Sequence, residues 1–153
     1  MRGFKAGRLS RSHVYKLSHH VSVVHALAPG YGLEDVRPLL ARYLEILEEE
    51  FGSRLVSVVV FGSVARGEAR EGSDVDLLIV VEGLLEDVGS RLEEISRARW
   101  RLRLSSEYED AKRRGAPRHT SEILLTPEEV RRHPPILLDM TEDAVILYDR
   151  GAS

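Results

Sequence analysis

Two aspartates that are two residues apart, Asp74 and Asp76, open an otherwise apolar segment that runs to Val81. Side chains two residues apart on a strand point to the same face, roughly 6.5 Å from each other along the chain. Two carboxylates held that close repel each other, and their pKa values rise unless a cation lies between them. Oxygen ligands that leave room for water and phosphate suit Mg²⁺ or Mn²⁺. The pair therefore predicts a divalent-metal site with Asp74 and Asp76 as ligands.

A glycine and a serine, Gly62 and Ser63, directly follow the preceding apolar segment. Glycine lets the backbone turn sharply and approach a ligand closely. Ser63 offers a hydroxyl and an amide, and free N–H groups at the start of a helical turn bind anions such as phosphate. Arg66 and Arg70 flank this turn, where Arg66 either pairs with a phosphate or holds an aspartate through a salt bridge. A phosphate-binding turn beside a paired-carboxylate site predicts an enzyme that uses a nucleoside triphosphate.

The elements that must position these residues follow from apolar periodicity and from glycine and proline. Asp35 is expected to cap a helix that ends at Gly52, and a long amphipathic helix is predicted from Leu84 to about Arg114. The side chains expected to face inward from that long helix are Leu85, Val88, Leu92, Ile95 and Leu102. Strands are predicted at Leu55 to Phe61, Asp74 to Val81, Thr120 to Leu125 and Ala144 to Tyr148. Helices alternating with strands predict an α/β or α+β sheet domain.

The segment GSVARGEAREGSDVDLLIV, residues 62–80, resembles the signature of the polymerase-β-type nucleotidyltransferase superfamily, and within it the minimal nucleotidyltransferases of archaea and bacteria. The closing PPILLDMTEDAVILYDR resembles the end of such domains, so that the likeness covers roughly residues 36–150. The resemblance implies a mixed sheet flanked by helices and a nucleotide site that includes Gly62, Ser63, Arg66 and Ser73. It also implies two divalent metals and transfer of a nucleoside monophosphate, AMP from ATP, with release of pyrophosphate. Some members are antitoxins that adenylylate a helical partner of the HEPN type.

The family typically uses a third carboxylate on a later strand, which helps to deprotonate the attacking hydroxyl. Glu122 is the candidate for this catalytic and metal-binding position, because it lies on the predicted strand at Thr120 to Leu125. Strand alternation also allows Glu122 to face solvent. Asp139 and Asp143 are weaker alternatives, as turn or surface acids. Without a third acid, weaker binding of one metal is expected, and the alternative is a degenerate relative that binds a ligand or a partner without chemistry.

Composition limits the remaining possibilities. The net charge of −3 is uneven, since residues 1–33 hold five basic and no acidic residues, and the remainder therefore carries −8. We expect a basic N-terminal arm and helix at 1–33, which contacts either nucleic acid or the acidic body, and a nucleotidyltransferase domain at 34–153. No apolar run is long enough to span a membrane, and a cytoplasmic location is expected. The absence of Cys, Asn and Gln, with 19 Arg against 3 Lys, favours a thermophilic source.

The chain leaves little room for a separate acceptor-binding domain. A protein partner, HEPN-like, or a second copy of the chain is therefore expected to share the acceptor site. Trp100 lies among Arg97, Arg99, Arg101 and Arg103 on the predicted long helix. It is interpreted either as a stacking site for nucleic acid or as a partly buried aromatic on the helix surface or at a dimer contact.

Overall fold

The computed structural model describes residues 30–132 and 142–151. A short 3₁₀ turn, Leu33–Val36, leads into helix α1, Arg37–Phe51. The other helices are α2 (Gly62–Arg66), α3 (Val88–Arg103), α4 (Ser106–Arg114) and α5 (Pro127–Arg131). The strands are β1 (Leu55–Phe61), β2 (Val75–Val81), β3 (Thr120–Leu125) and β4 (Val145–Asp149). Each predicted strand is therefore present within one residue of its predicted bounds.

The four strands form one mixed sheet in the order β3-β2-β1-β4. Strand β1 runs antiparallel to both β2 and β4, whereas β2 and β3 are parallel. The end of β1, the starts of β2 and β3, and the start of β4 consequently meet at one edge of the sheet. The prediction of a mixed sheet flanked by helices is confirmed.

The main core lies between one face of the sheet and helices α1 and α3. The strands contribute alternate side chains, among them Val60, Leu77, Ile79 and Leu147, which are almost completely buried. Helix α1 buries its apolar stripe against them, including Leu40, Leu44 and Leu47. Leu78 and Val80 point to the opposite face, where they form a smaller cluster with Ile123, Leu125 and Val130 of α5. The sheet therefore has a thick apolar side and a thinner one.

The long helix predicted from Leu84 to about Arg114 is instead two helices. The chain leaves α3 at Leu104, and the Ser105 side chain accepts a hydrogen bond from Tyr108 N at 3.1 Å, which caps the start of α4. Of the side chains predicted to face inward, Ile95 and Leu102 are buried, but Leu85, Val88 and Leu92 are 62%, 70% and 50% exposed. That part of the prediction was wrong, because α3 carries apolar residues on two faces.

The start of the described chain packs on the domain. Tyr31 and Ala69 exchange backbone hydrogen bonds of 2.8 and 3.1 Å, and Leu33 is buried. Residues 1–29 of the predicted basic arm lie outside the described residues, as does Asp139. Within 30–132 and 142–151, helices of the length and apolarity that a membrane crossing requires are absent.

Candidate active site

The edge of the sheet where β1 ends and β2 begins brings Gly62 and Asp76 together. Asp76 is the register partner of Phe61, and Gly62 begins α2 immediately afterwards. Gly62 has φ of 76°, a conformation that favours glycine. A Cβ at this position would lie 3.0 Å from Asp76 Cγ and well inside the contact distance of Asp76 Oδ2. The carboxylate thus occupies the space that only a glycine leaves open.

Gly62→Ala is expected to lower stability and to abolish divalent-dependent nucleotide binding, because the new methyl group displaces the Asp76 carboxylate. The positive φ alone costs about 1–2 kcal/mol for a residue with a Cβ. Gly52→Ala is the matched control, since Gly52 has φ of 58° but nothing within 4 Å of an added Cβ. Gly52→Ala should lower the melting temperature and leave nucleotide affinity unchanged, as measured by calorimetry. Equal loss of binding in both variants would contradict the contact with Asp76.

The two aspartates differ in their surroundings. Asp74 precedes β2 and is exposed, whereas Asp76 is half-buried on β2. Burial raises the pKa of Asp76, the charge of Asp74 raises it further, and Arg66 opposes the shift. The repulsion expected from the sequence therefore acts on Asp76, and it makes this position a place where a cation would be favourable.

The raised pKa of Asp76 predicts how stability depends on pH in metal-free protein. The folded protein keeps this proton to a higher pH than the unfolded chain, so the ionised carboxylate opposes folding above the raised pKa. Stability from this group should therefore rise as pH falls through that pKa. Asp76→Asn should be more stable than the parent at neutral pH, by no more than about 1 kcal/mol for a solvent-screened group. Urea unfolding in chelator from about pH 4 to pH 8 tests this. A difference in unfolding free energy between Asp76→Asn and the parent that widens towards low pH would contradict it.

The other predicted nucleotide ligands line the loop between β1 and β2. Ser63 is the second residue of α2, and its carbonyl accepts a hydrogen bond from Glu68 N at 2.9 Å. Arg66 ends α2 and pairs with Glu68 at 3.0 Å, so it does not form the direct aspartate salt bridge that the sequence allowed. Ser73 closes a turn in which its Oγ accepts from Arg70 N at 2.8 Å. Arg66 nevertheless acts on Asp76 through its charge.

Glu122 lies on the wrong face of the sheet for the predicted third carboxylate. In the parallel pair β2–β3, Glu122 is the partner of Leu77, and Ser121 is the partner of Asp76. Side chains alternate along a strand, so Glu122 shares the core face with Leu77 and not the face of Asp76. This position argues against its predicted role as a metal ligand and catalytic acid. The alternative of a solvent-facing residue is also wrong, because the Glu122 side chain is completely buried.

The Glu122 carboxylate is held by a polar network that the sequence did not reveal. It accepts hydrogen bonds from Tyr43 Oη at 2.5 Å, Thr120 Oγ1 at 2.5 Å and Arg99 Nε at 2.7 Å. Burial and the neighbouring carboxylate raise the pKa of Tyr43, which keeps its hydroxyl a donor. The network joins α1 and α3 to β3. One signal lay in the alternating arginines of α3, Arg97, Arg99, Arg101 and Arg103, among which Arg99 bonds to Glu122 of β3.

Among the described residues, the candidate donors for a metal at this site are the two carboxylates of Asp74 and Asp76. On β3, the residues that share a face with Asp76 are Ser121 and Ile123, and neither carries a carboxylate. Among the described residues there is no group of three His, Cys, Asp or Glu side chains placed to hold a metal. Two aspartates still fit a hard cation that keeps water and substrate phosphate among its ligands.

The end of the antiparallel pair β1–β2, with Gly62 against Asp76, carries the residues of the predicted nucleotidyltransferase signature. A sequence profile of the nucleotidyltransferase domain matches residues 40–135, and the chain belongs to this family. The polymerase-β-type signature had predicted this family, and the prediction is confirmed.

The curated relatives are archaeal. The chain is 46% identical over 46 residues to MJ1305 of Methanocaldococcus jannaschii, which is provisionally named a protein adenylyltransferase. The match covers 30% of this chain and 31% of the relative. It is also 46% identical over 50 residues to the protein adenylyltransferase MntA of Thermococcus cleftensis, covering 33% of this chain and 48% of MntA. The chain thus spans less than half the length of either relative.

A solved structure from Sulfolobus solfataricus, provisionally named a nucleotidyltransferase, is also similar. It is 23% identical, with a TM-score of 0.43, over 92% of this chain and 90% of that one.

Proposed function

We propose that this protein transfers AMP from ATP to a hydroxyl group of a partner protein and releases pyrophosphate. The observation that carries the proposal is the Asp76 carboxylate seated against Gly62, with Asp74 two residues away. Membership of the nucleotidyltransferase family supports the reaction type. The names of the two curated relatives support a protein as acceptor. The resemblance of the signature to antitoxins of the minimal family favours a helical, HEPN-type partner. We place the reaction in the cytoplasm, where the triphosphate is available.

In this proposal Asp74 and Asp76 would hold a divalent cation, Mg²⁺ or Mn²⁺. When bound, that cation would neutralise charge on the phosphates. Ser63, Arg66 and Ser73 bind the triphosphate along the β1–β2 loop. The acceptor oxygen forms a bond to the α-phosphorus, and the bond from that phosphorus to the α–β bridging oxygen breaks, so pyrophosphate leaves with the electron pair. The acceptor proton passes to the Asp76 carboxylate, since Glu122 is on the other face. Orientation and charge stabilisation supply most of the rate.

A second function is a binding module without chemistry. Ser121 and Ile123 favour it, because the β3 positions that share a face with Asp76 carry no carboxylate. Such a protein would bind nucleotide and metal weakly and act by occupying its partner.

The position of the transferred label separates these functions. The full chain, with Mg²⁺ or Mn²⁺ and a candidate partner, is supplied in parallel with ATP labelled at the α- or the γ-phosphate. We expect the α-label to appear on protein, and we expect one pyrophosphate to be released for each label transferred. The reason is that bond breakage falls between the α and β phosphorus atoms. Transfer of γ-label would contradict the proposal, since a kinase breaks the bond between β and γ. Metal-dependent binding without transfer would assign the protein to the binding modules.

A further inference from the structure

Helix α3 carries a row of exposed apolar side chains on its outer surface. Val88, Leu92, Trp100 and Leu104 are 70%, 50%, 60% and 69% exposed, and they lie four or eight residues apart. Ser96, also exposed, fills the remaining place in the series. Residues four apart on a helix are neighbours and form a continuous ridge. We call this row of five residues, Val88, Leu92, Ser96, Trp100 and Leu104, the α3 ridge.

The α3 ridge is separate from the face by which α3 packs on its own domain. Ile95, Ala98 and Leu102 provide that inner face and are 2% exposed or less. An ordinary surface helix is apolar on one side only, and a helix that is apolar on two sides is buried on both. Contiguous exposed apolar residues on a soluble protein mark an interaction surface. The ridge thus requires a second contact beyond the domain core.

The order of residues along the ridge is symmetric about Ser96. Val88 and Leu104 are each eight residues from Ser96, and Leu92 and Trp100 are each four residues from it. Two such helices in antiparallel orientation, related by a two-fold axis at Ser96, would set Leu92 against Trp100 of the other copy, with Val88 and Leu104 at the periphery of the contact. The small serine at the centre permits close approach of the two helices.

The charges beside the ridge are also self-complementary. Glu86 and Glu93 lie beside its first half, and Arg97 and Arg103 lie beside its second half. Glu86, Glu93 and Arg103 are exposed, and none of them forms an ion pair with another residue in the described ranges. Antiparallel pairing brings the acidic half of one helix to the basic half of the other, which favours this orientation over the parallel one.

We propose that the α3 ridge is the docking surface for a second copy of this chain, with the two α3 helices antiparallel about Ser96. Ridges of residues four apart pack against each other at a helix crossing of about −50°, the commonest class in globular proteins. The interface is isologous, so every contact occurs twice. Arg99 next to Trp100 contacts Glu122, and Ser121 beside Glu122 is the partner of Asp76. These contacts connect the ridge of each copy to the strand that lies beside Asp76.

A single introduced cysteine tests the geometry, because the natural chain has no cysteine. Helices in contact have axes 8–10 Å apart, which brings the two Ser96 Cα atoms to about 4–6 Å, within disulfide range. Under mild oxidation, full-length Ser96→Cys should form a covalent dimer at micromolar concentration. Glu109→Cys, at an exposed position on α4, is the control and should remain monomeric on a non-reducing gel.

Substitutions on the ridge test the energetics by sedimentation of the full chain. Trp100→Glu should raise the dimer dissociation constant at least about 30-fold, as expected for loss of a buried aromatic anchor. Glu93→Arg and Arg103→Glu should each weaken the dimer, and the two together should restore it, because each copy then supplies the reversed partner. A heterologous partner, which keeps its own charges, would not be rescued in this way.

Several outcomes would overturn the proposal. A full-length chain that stays monomeric to high micromolar concentration would do so, and the ridge would then serve another segment or another protein. A dimer that Trp100→Glu leaves intact, or that cross-links equally through Glu109→Cys, would place the interface elsewhere. None of these measurements involves nucleotide, so they remain valid whether or not AMP transfer is observed.

Discussion

Asp76→Asn is expected to abolish transfer of the α-phosphate label while leaving the protein folded. The amide keeps the shape of the side chain and its seat against Gly62, but it removes the charge that holds a cation and the group that accepts the proton. Loss of residues that merely orient metal ligands costs about 10–100-fold in activity or affinity. Removal of one of the two carboxylates proposed to hold the cation should exceed that range, and pyrophosphate release should disappear together with protein labelling.

Asp110→Asn is the matched control for this substitution. Asp110 is an aspartate of similar charge on α4, where it pairs with Arg113 and Arg114 on the surface. It should retain full transfer and the same melting temperature, because exposed ion pairs contribute little. If metal-free Asp76→Asn were several kcal/mol less stable than the parent, or if it transferred label at the parental rate, the pair would be structural and the proposed site would be wrong.

The central part of this site could be predicted from sequence because it depends on neighbours along the chain. The strand alternation that groups Asp74 and Asp76, and the turn at Gly62, are properties of short segments. The one long-range element, the contact of Gly62 with Asp76, follows from two adjacent strands joined by a single loop. The thirteen residues that connect these strands, 62–74, leave few other arrangements.

The part that could not be predicted depends on register between strands that are distant in sequence. If the register of β3 against β2 changed by one residue, Glu122 would lie on the face of the sheet that carries Asp76, and Ser121 and Ile123 would lie on the core face. Because the pattern TSEILL has no clear alternation, the sequence did not determine which set faces the aspartates. The outward position of Val88 and Leu92 was missed for a related reason. A helix with two apolar faces has no single inward direction until its packing is known.

The largest expected effect on stability is that of Glu122→Ala. Removing one partner of a buried ion pair costs about 3–5 kcal/mol when the other charge is left buried. Here the Arg99 side chain is 41% exposed and can be hydrated, so its contribution should be smaller. The Tyr43 hydroxyl, however, loses its acceptor in a buried place, which costs about 1–3 kcal/mol. We therefore expect a total loss of about 3 kcal/mol, measured by urea unfolding in chelator.

The same variant distinguishes a structural Glu122 from a catalytic one. Because the carboxylate lies on the core face, Glu122→Ala should bind ATP and Mg²⁺ with parental affinity below its unfolding transition. Tyr43→Phe should cost about 1 kcal/mol, and the double variant should lose less than both single variants together, since the two groups share one hydrogen bond. A Glu122→Ala protein with parental stability and no metal-dependent nucleotide binding would contradict this expectation. It would assign Glu122 to the active site, although its side chain does not share a face with Asp76.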